Sequence, residues 1–469
     1  VSAPPAPSEA PSTDAPDPWG ETLPRRIGTA SAVAVLVGST IGSGIFRSPA
    51  GIAAELDQVG LFALAWLLGG VVALAGALTF AELGGMFPRT GGIYVYIREA
   101  FGKLPAFLFG WAELLILRPA AYGAIAVTSA EYTWRVLGHD PGRVALELGP
   151  LAPSLAQLLA ASYIVLLGLV NYRGVRLGAI VQNVSTLLKV AAIAALVLLG
   201  LALTPDLLPS VAAPVRAADA PPPSSLAAFG LALVGVMWAY DGWSDVGFVG
   251  GEIRDPARNL PRAFILGTAI VVALYLAIDA IYLKVVPIEQ MPGRPLIAAD
   301  VAEALIGPIG AVLVAGAVAL STFGTLNGSM MTGPRVFYAM AEDGLFFRAL
   351  AKIHPVHRTP GGAILLSIGL GVVFVSFQGF AELADQFVIG IWPFYALAVA
   401  AVIVLRRRRP ELARPYRTWG YPIVPLLFLA ATVFVLGNYA LRETGKFALD
   451  LAIVLSGVPV FWVWQRLRG

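Results

Sequence analysis

The sequence predicts an all-α, polytopic membrane protein, and three observations carry that prediction. Of the 469 residues 58% are hydrophobic and only 13% are charged, with a mean hydropathy of +0.77, which leaves too little polar surface to cover a water-soluble fold. From Ile27 onward the apolar residues gather into about twelve segments, each near the roughly 20 residues a helix needs to cross a bilayer. The lysines and arginines fall in short loops between these segments and favour one side, which sets topology.

That distribution excludes other classes. The excess of three basic charges and the pI near 9.1 report orientation in a membrane and not an affinity for nucleic acid. Cysteine is absent, which rules out disulfides and thiolate metal sites among these residues. The three histidines, His139, His354 and His357, fall in expected loops, so no catalytic or metal-binding histidine cluster is available within the membrane. Neither a nucleophile, base and orienter in one place nor metal-ligand spacing is visible, so the chain reads as no enzyme, with no cofactor and no metal.

Taken in order, residues 1–26 are rich in Pro, Ala, Ser and Asp, lack an apolar core, and read as a disordered cytoplasmic tail without signal-peptide character. The apolar segments centre near Thr40, Leu74, Ile116, Leu166, Ala194, Met237, Leu274, Leu320, Gly369, Leu397, Phe428 and Val454. Sorted by alternate loops, roughly 22 of the 32 basic residues fall on one side and about seven on the other. An even span count with both termini cytoplasmic satisfies this alternation, in the inner membrane of a cell.

Two segments are interrupted. In the first, VGSTIGSGIFRSP from Val37 to Pro49 carries Gly38, Gly42 and Gly44, and each glycine inside a helix costs about 1 kcal/mol relative to alanine. In the sixth, FGLALVGVMWAYDGWSDVGFVGGE from Phe229 to Glu252 is broken at Ala239, Tyr240, Asp241 and Gly242. A broken helix is tolerated in hydrocarbon only where it is buried in protein or lines a watery cavity. Glycines that merely allow close helix packing are the alternative. The breaks open successive groups of five spans, and an odd number of spans between equivalent positions inverts the second group. Paired broken helices in inverted halves point to a transporter's central site. The expected organisation is a first repeat at 27–203, an extracytoplasmic loop at 204–224, a second repeat at 225–405, and a basic cytoplasmic loop with two further helices at 406–469.

Where the first span resumes, near Ser43 to Ile45, free amides and a positive dipole end suit a carboxylate. Where the sixth stops, near Trp238 to Asp241, unpaired carbonyls suit an ammonium. Together they suit an α-amino acid, recognised largely through backbone. The Ser43 hydroxyl adds a donor or is a small packing residue. Trp238 is placed to close over the substrate as a gate, although aromatics in membrane spans commonly just pack. Asp241 has three roles open to it: near the ammonium, titrating during transport, or hydrogen-bonded to unwound backbone.

Longer motifs carry a resemblance. IGSGIF at Ile41 to Phe46, WAYDGW at Trp238 to Trp243, EIRDPARNLPRA at Glu252 to Ala263, AELGGMFPRTGGIYVYIREAFG at Ala81 to Gly102, the pair Arg118-Pro119, and RPELARPYRTWGYPIVP from Arg409 to Pro425 resemble the amino acid–polyamine–organocation superfamily. So do Asn327, Arg335 and Tyr338 in TLNGSMMTGPRVFYAM, and the branch is similar to bacterial L-type amino acid transporter-like members. The resemblance runs from about Ile27 to the end of the chain. It implies twelve transmembrane helices in a LeuT-like five-plus-five inverted repeat, with discontinuous helices one and six, moving amino acids without sodium by alternating access.

Carried over residue by residue, Gly42, Ser43 and Gly44, followed by Ile45, match the carboxylate-binding segment, and Thr40 and Ile41 match the turn whose carbonyls face the amine. Trp238 occupies the aromatic gate, ahead of Ala239 and Tyr240. Asp241 stands where many relatives have glycine. Asn327 matches a polar pocket residue of the eighth span, and Tyr122 falls on the third-span surface that can face the site. Lys189 matches a lysine whose ammonium replaces a sodium ion, bridging the broken first helix to the scaffold; the alternative is a lysine snorkelling to the interface. Arg118 reads as a partner of Glu113 or a helix cap. The cysteine through which animal members join an accessory glycoprotein is missing, so no disulfide-linked subunit is expected, and the chain reads as a monomer or weak homo-oligomer. The leading function is exchange of neutral L-amino acids, with proton-coupled symport as the close alternative and a membrane amino acid sensor as the remote one.

Overall fold

The computed structural model describes residues 23–145, 153–204, 226–294, 296–377 and 380–468, and these are helical with short connections. In chain order the helices are α1 (Thr29–Thr40), α2 (Gly44–Glu55), α3 (Val59–Met86), α4 (Ile93–Phe101), α5 (Lys103–Ala112), α6 (Arg118–Val136), α7 (Leu155–Tyr172), α8 (Val175–Leu203) and α9 (Leu226–Tyr240). There follow α10 (Pro256–Val285), α11 (Ile297–Ile306), α12 (Pro308–Thr332), α13 (Pro334–Glu342), α14 (Gly361–Val375), α15 (Phe380–Arg408), α16 (Ile423–Arg442), α17 (Thr444–Leu455) and α18 (Gly457–Arg468). A π-helical turn, Glu113–Leu117, joins α5 to α6, and a 3₁₀ segment, Asp245–Glu252, follows α9.

Each expected apolar centre falls within a helical segment. Among the described residues eleven stretches are long and apolar enough to cross a membrane; α14, at 15 residues, is a shorter apolar helix. The outward faces are what lipid requires: Leu187, Leu198, Val433 and Leu313 lie exposed in mid-helix, where water would penalise them and acyl chains do not. The core lies between α1, α3, α6, α9, α10, α12 and α15, with α10 packed on α3, α12 on α6, and α2 on α9.

The expected tail lies outside the described residues as far as residue 22. At its end Leu23 is buried, and the amides of Arg26 and Ile27 donate to the Glu252 carbonyl at 2.9 Å. The loop expected at 204–224 lies outside the described residues apart from Thr204, whose carbonyl accepts from Lys284.

Polar groups tie the helices together away from the core. Arg335 donates to Glu252 through two nitrogens, at 3.0 and 3.4 Å, with both side chains buried. At the end of the bundle where α4 lies, Arg98 pairs with Asp343 and Glu99, Tyr94 donates to Asp343 at 2.7 Å, and Arg409 donates to Glu99 at 3.0 Å. Burial works to raise the Glu99 pKa, but the two guanidiniums outweigh it and hold the carboxyl below its ordinary value.

Candidate functional site

Both interruptions anticipated from the glycine pattern are present. Helix α1 stops at Thr40 and α2 starts at Gly44, leaving Ile41 to Ser43 outside either helix. Helix α9 stops at Tyr240, turns at Gly242 with φ of 101°, and continues as the 3₁₀ segment instead of a second α-helix. The two breaks touch. A methyl group on Gly44 would fall 2.3 Å from the Ala239 Cα, and one on Gly242 would stand 2.8 Å from the Ser39 carbonyl carbon and the Thr40 nitrogen. Only glycine allows this approach. Gly38, by contrast, is an ordinary helical residue of α1 that admits Gln182 and Thr186 of α8, so there the packing reading applies.

The carboxyl end of α1 is held by a lysine. Lys189, buried on α8, donates to the carbonyls of Gly38 (2.9 Å) and Ile41 (2.6 Å) and to the Thr325 hydroxyl (2.8 Å). An ammonium has three donors, and here each finds an acceptor. A cation at a helix C-terminus satisfies carbonyls that the end of the helix leaves open. Lys189 therefore bridges the broken helix to α8 and α12 and does not snorkel. The Tyr275 hydroxyl of α10 donates to the Thr40 carbonyl at 2.9 Å. The carbonyls of Thr40 and Ile41, expected to face an amine, are thus already bonded within the protein.

At the other side of the break, Ser43 stands at the N-cap of α2 without making a side-chain capping bond. The first amides of a helix have no intrahelical partner, so the Gly44 and Ile45 N–H groups and the Ser43 hydroxyl form a donor set at a positive dipole end. They border a cavity of about 450 Å³, counted out to its mouth. Of the residues singled out in the sequence, Thr40, Gly42, Ser43, Gly44, Trp238 and Asp241 reach its wall. Trp238 meets Phe387 of α15 edge-on at 5.5 Å and 83°, and both rings line the space. The Asp241 carboxylate accepts from the Tyr395 hydroxyl at 2.6 Å.

The other expected site residues stand behind this wall. Tyr240 packs against Trp66 and Tyr275, at ring separations of 5.7 and 5.1 Å. Ile41, Ile45 and Ala239 are buried in the core. Asn327 faces α7 and α8: its amide nitrogen donates to the Gly178 carbonyl at 3.0 Å and to Gln182 at 3.2 Å, and its oxygen accepts from Asn171 at 3.0 Å. Helical phase explains this, because Thr325 and Ser329 of α12, four residues apart, take the cavity side and Asn327 between them points away. Tyr122 likewise sits beside the wall, which on α6 is made by Arg118, Ala121 and Ile125, while its hydroxyl donates to the Ser329 carbonyl.

The sequence favours a structural role for Arg118. It pairs with Glu113 at 2.6 Å and lies 3.7 Å from Asp245, yet it also lines the cavity. The π-helical turn just before it re-aims the helix, a distortion frequent at functional sites. Ser39 and Asp245, inside the two interrupted stretches, also line the cavity without any local signal that sets them apart, and Thr325, Ser329 and Phe387 reach it from distant parts of the chain. Among the described residues no group of three or more His, Asp or Glu side chains could hold a metal ion.

Two interrupted helices meeting at a cavity within a bundle of apolar helices define the class, a helical membrane transporter. The chain belongs to the amino acid permease family, which it matches over residues 27–456. It is 32% identical over 450 residues to the serine/threonine exchanger SteT of Bacillus subtilis, covering 95% of this chain and 98% of that one. It is 31% identical over 456 residues to the human b(0,+)-type amino acid transporter 1, covering 96% and 90%. The large neutral amino acids transporter small subunit 2 of Oryctolagus cuniculus is 32% identical over 457 residues, covering 95% and 82%. In fold it is similar to Mhp1, a nucleobase-cation-symport-1 family transporter, with a TM-score of 0.58, 14% identity and coverage of 95% and 96%. The protein is therefore an L-type-like amino acid transporter embedded in a membrane, and not an enzyme.

Proposed function

We propose that the protein exchanges small neutral L-amino acids across the inner membrane of a cell by alternating access, without sodium. The substrate carboxylate lies on the Gly44 and Ile45 amides and the Ser43 hydroxyl, and the ammonium lies toward Asp241 and the carbonyl end of α9. The observation that carries this reading is the contact between the two breaks, which sets a donor-rich helix start and an acceptor-rich helix end about one cavity. The walls favour a small side chain: Ser39, Thr40, Gly42, Thr325 and Ser329 leave room and offer hydroxyls, and Trp238 with Phe387 closes over it as the gate. The 32% identity to the serine/threonine exchanger SteT supports exchange and a small neutral substrate. Residues 27–203 and 225–405 form the two inverted halves, and both termini are cytoplasmic. Because the 469 residues contain no cysteine, none of them can join an accessory subunit through a disulfide.

The test is uptake of radiolabelled serine into proteoliposomes at equal pH on both faces. Uptake accelerates several-fold when unlabelled serine is loaded inside, and a panel of competing amino acids ranks small neutral ones first. Equal rates with loaded and empty vesicles would remove the exchange reading, and competition by acidic or basic amino acids alone would remove the substrate class.

A further inference from the structure

One pair of charged side chains on the cavity wall takes no part in holding the carboxylate and ammonium of the substrate. Asp245, the first residue of the 3₁₀ segment, is 7% exposed, and Arg118 of α6 is 4% exposed; both line the cavity. With Asp241 they are the charged residues of that wall among the described residues, one cation against two carboxylates. Asp241 is engaged by the Tyr395 hydroxyl and, in the reading above, by the substrate ammonium. What remains is Arg118 beside Asp245.

Both side chains are fixed by their surroundings. The Arg118 Nε donates to Glu113, which is buried and does not reach the cavity wall, and one terminal nitrogen donates to the Ser329 hydroxyl at 3.4 Å. The guanidinium lies over the Phe248 ring at 4.8 Å. A methyl on Gly333, between α12 and α13, would come 2.8 Å from the Arg118 Cδ, so the backbone there confines the side chain. The Asp245 amide donates to the Gly242 carbonyl at 3.1 Å, within the turn that breaks the sixth span, and one carboxyl oxygen accepts from the Thr332 hydroxyl at 3.0 Å. The other oxygen stands 3.7 Å from the second terminal nitrogen of Arg118, close enough for an ion pair and too far for a hydrogen bond.

That arrangement sets a carboxylate against the guanidinium edge that Glu113 leaves free. Such an edge offers paired N–H groups and suits a carboxylate carried by a substrate side chain. With Asp245 in place, an acidic side chain meets a fixed like charge, a basic one meets Arg118, and a neutral one meets neither obstacle.

We propose that Asp245 is a specificity-determining residue: standing against Arg118, it denies the guanidinium to substrate carboxylates and confines the cavity to neutral side chains. This deepens the transport reading above and rests on it. The neutral preference is set by a repulsive element and not by room alone, so removing one charge relaxes it toward acidic substrates and not toward basic ones.

The experiment is competition against labelled serine bound at equilibrium to the purified full chain, with asparagine and aspartate as a pair of equal size and lysine as the third competitor. Wild type ranks asparagine above aspartate by about 100-fold. Asp245→Asn narrows that ratio to about fivefold and still excludes lysine, because Arg118 remains, whereas Asp245→Glu keeps the wild-type ratio. Reading a ratio cancels any general change in affinity, and lysine separates a freed guanidinium from a cavity that is merely wider. A folded Asp245→Asn protein with the wild-type ratio, or one that admits lysine as readily as aspartate, would overturn the proposal. If Asp245→Asn does not fold, wild type decides: equal competition by asparagine and aspartate, or rejection of asparagine as firm as that of aspartate, does the same, since charge would then not select. The ratio is a binding measurement, so it stands apart from the vesicle assay, in which equal rates for loaded and empty vesicles would remove the exchange reading alone.

Discussion

Replacing Lys189 by alanine tests whether the break in the first span is held open by one side chain. The ammonium makes two bonds to backbone carbonyls and one to a hydroxyl. Hydrogen bonds from a charged donor contribute about 1.5–3 kcal/mol each, so the two carbonyl bonds together contribute about 3–6 kcal/mol. Two effects offset part of this. The single hydrogen of the Thr325 hydroxyl can still serve one of the two carbonyls, Gly38 at 3.1 Å or Ile41 at 2.7 Å, and the Ser321 hydroxyl lies 3.4 Å from that of Ile41. The variant also no longer buries an ammonium, which itself carries a desolvation cost. The net loss is about 2–3 kcal/mol in favour of the geometry that presents the α2 amides, or about 30- to 150-fold in serine affinity. Equilibrium binding of labelled serine to detergent-purified protein measures it, with size-exclusion behaviour and expression as the check on folding. A well-folded Lys189→Ala protein with unchanged affinity and unchanged uptake would refute the reasoning, since the α1 terminus would then need no cation.

Gly44→Ala forces a methyl onto the Ala239 backbone and is expected to abolish serine uptake and to cost about 1–3 kcal/mol in thermal stability, whereas Gly51→Ala, inside α2 with nothing within 4 Å, leaves uptake unchanged and stabilises by up to about 1 kcal/mol. Ser43→Ala removes one neutral donor and is expected to raise the uptake KM about fivefold with Vmax retained, the equivalent of about 1 kcal/mol. Arg118→Met leaves the buried Glu113 carboxylate unpaired and is expected to cost about 3–5 kcal/mol, seen as a lowered unfolding temperature; adding Glu113→Gln should recover part of it, and strict additivity of the two changes would contradict the pairing.

Much of the fold was legible because membrane insertion makes strong local demands. A span must be apolar over its whole length, and a broken span must carry residues that tolerate the break, so α1, α2 and α9 could be read from glycines and a single aspartate. The roles that depend on helical phase were harder. Asn327 and Thr325 are both small polar residues of α12, two positions apart, and only the packing of α12 against α6 and α8 assigns one to the cavity and the other to a helix interface. Arg118 shows the same limit: the register in which it reaches the cavity depends on a π-helical turn that no periodicity in ELLIL announces.

What the sequence by itself determined is the class of molecule, the places where two helices stop, and the lysine between them, because each follows from composition or from a local backbone preference. Tertiary structure alone decided that the two stops touch, that the lysine reaches the end of α1, and which face of α6 and α12 lines the cavity. Contacts between residues far apart in the chain depend on how helices cross, and a crossing is fixed by the packing of whole faces, which no short stretch of sequence contains.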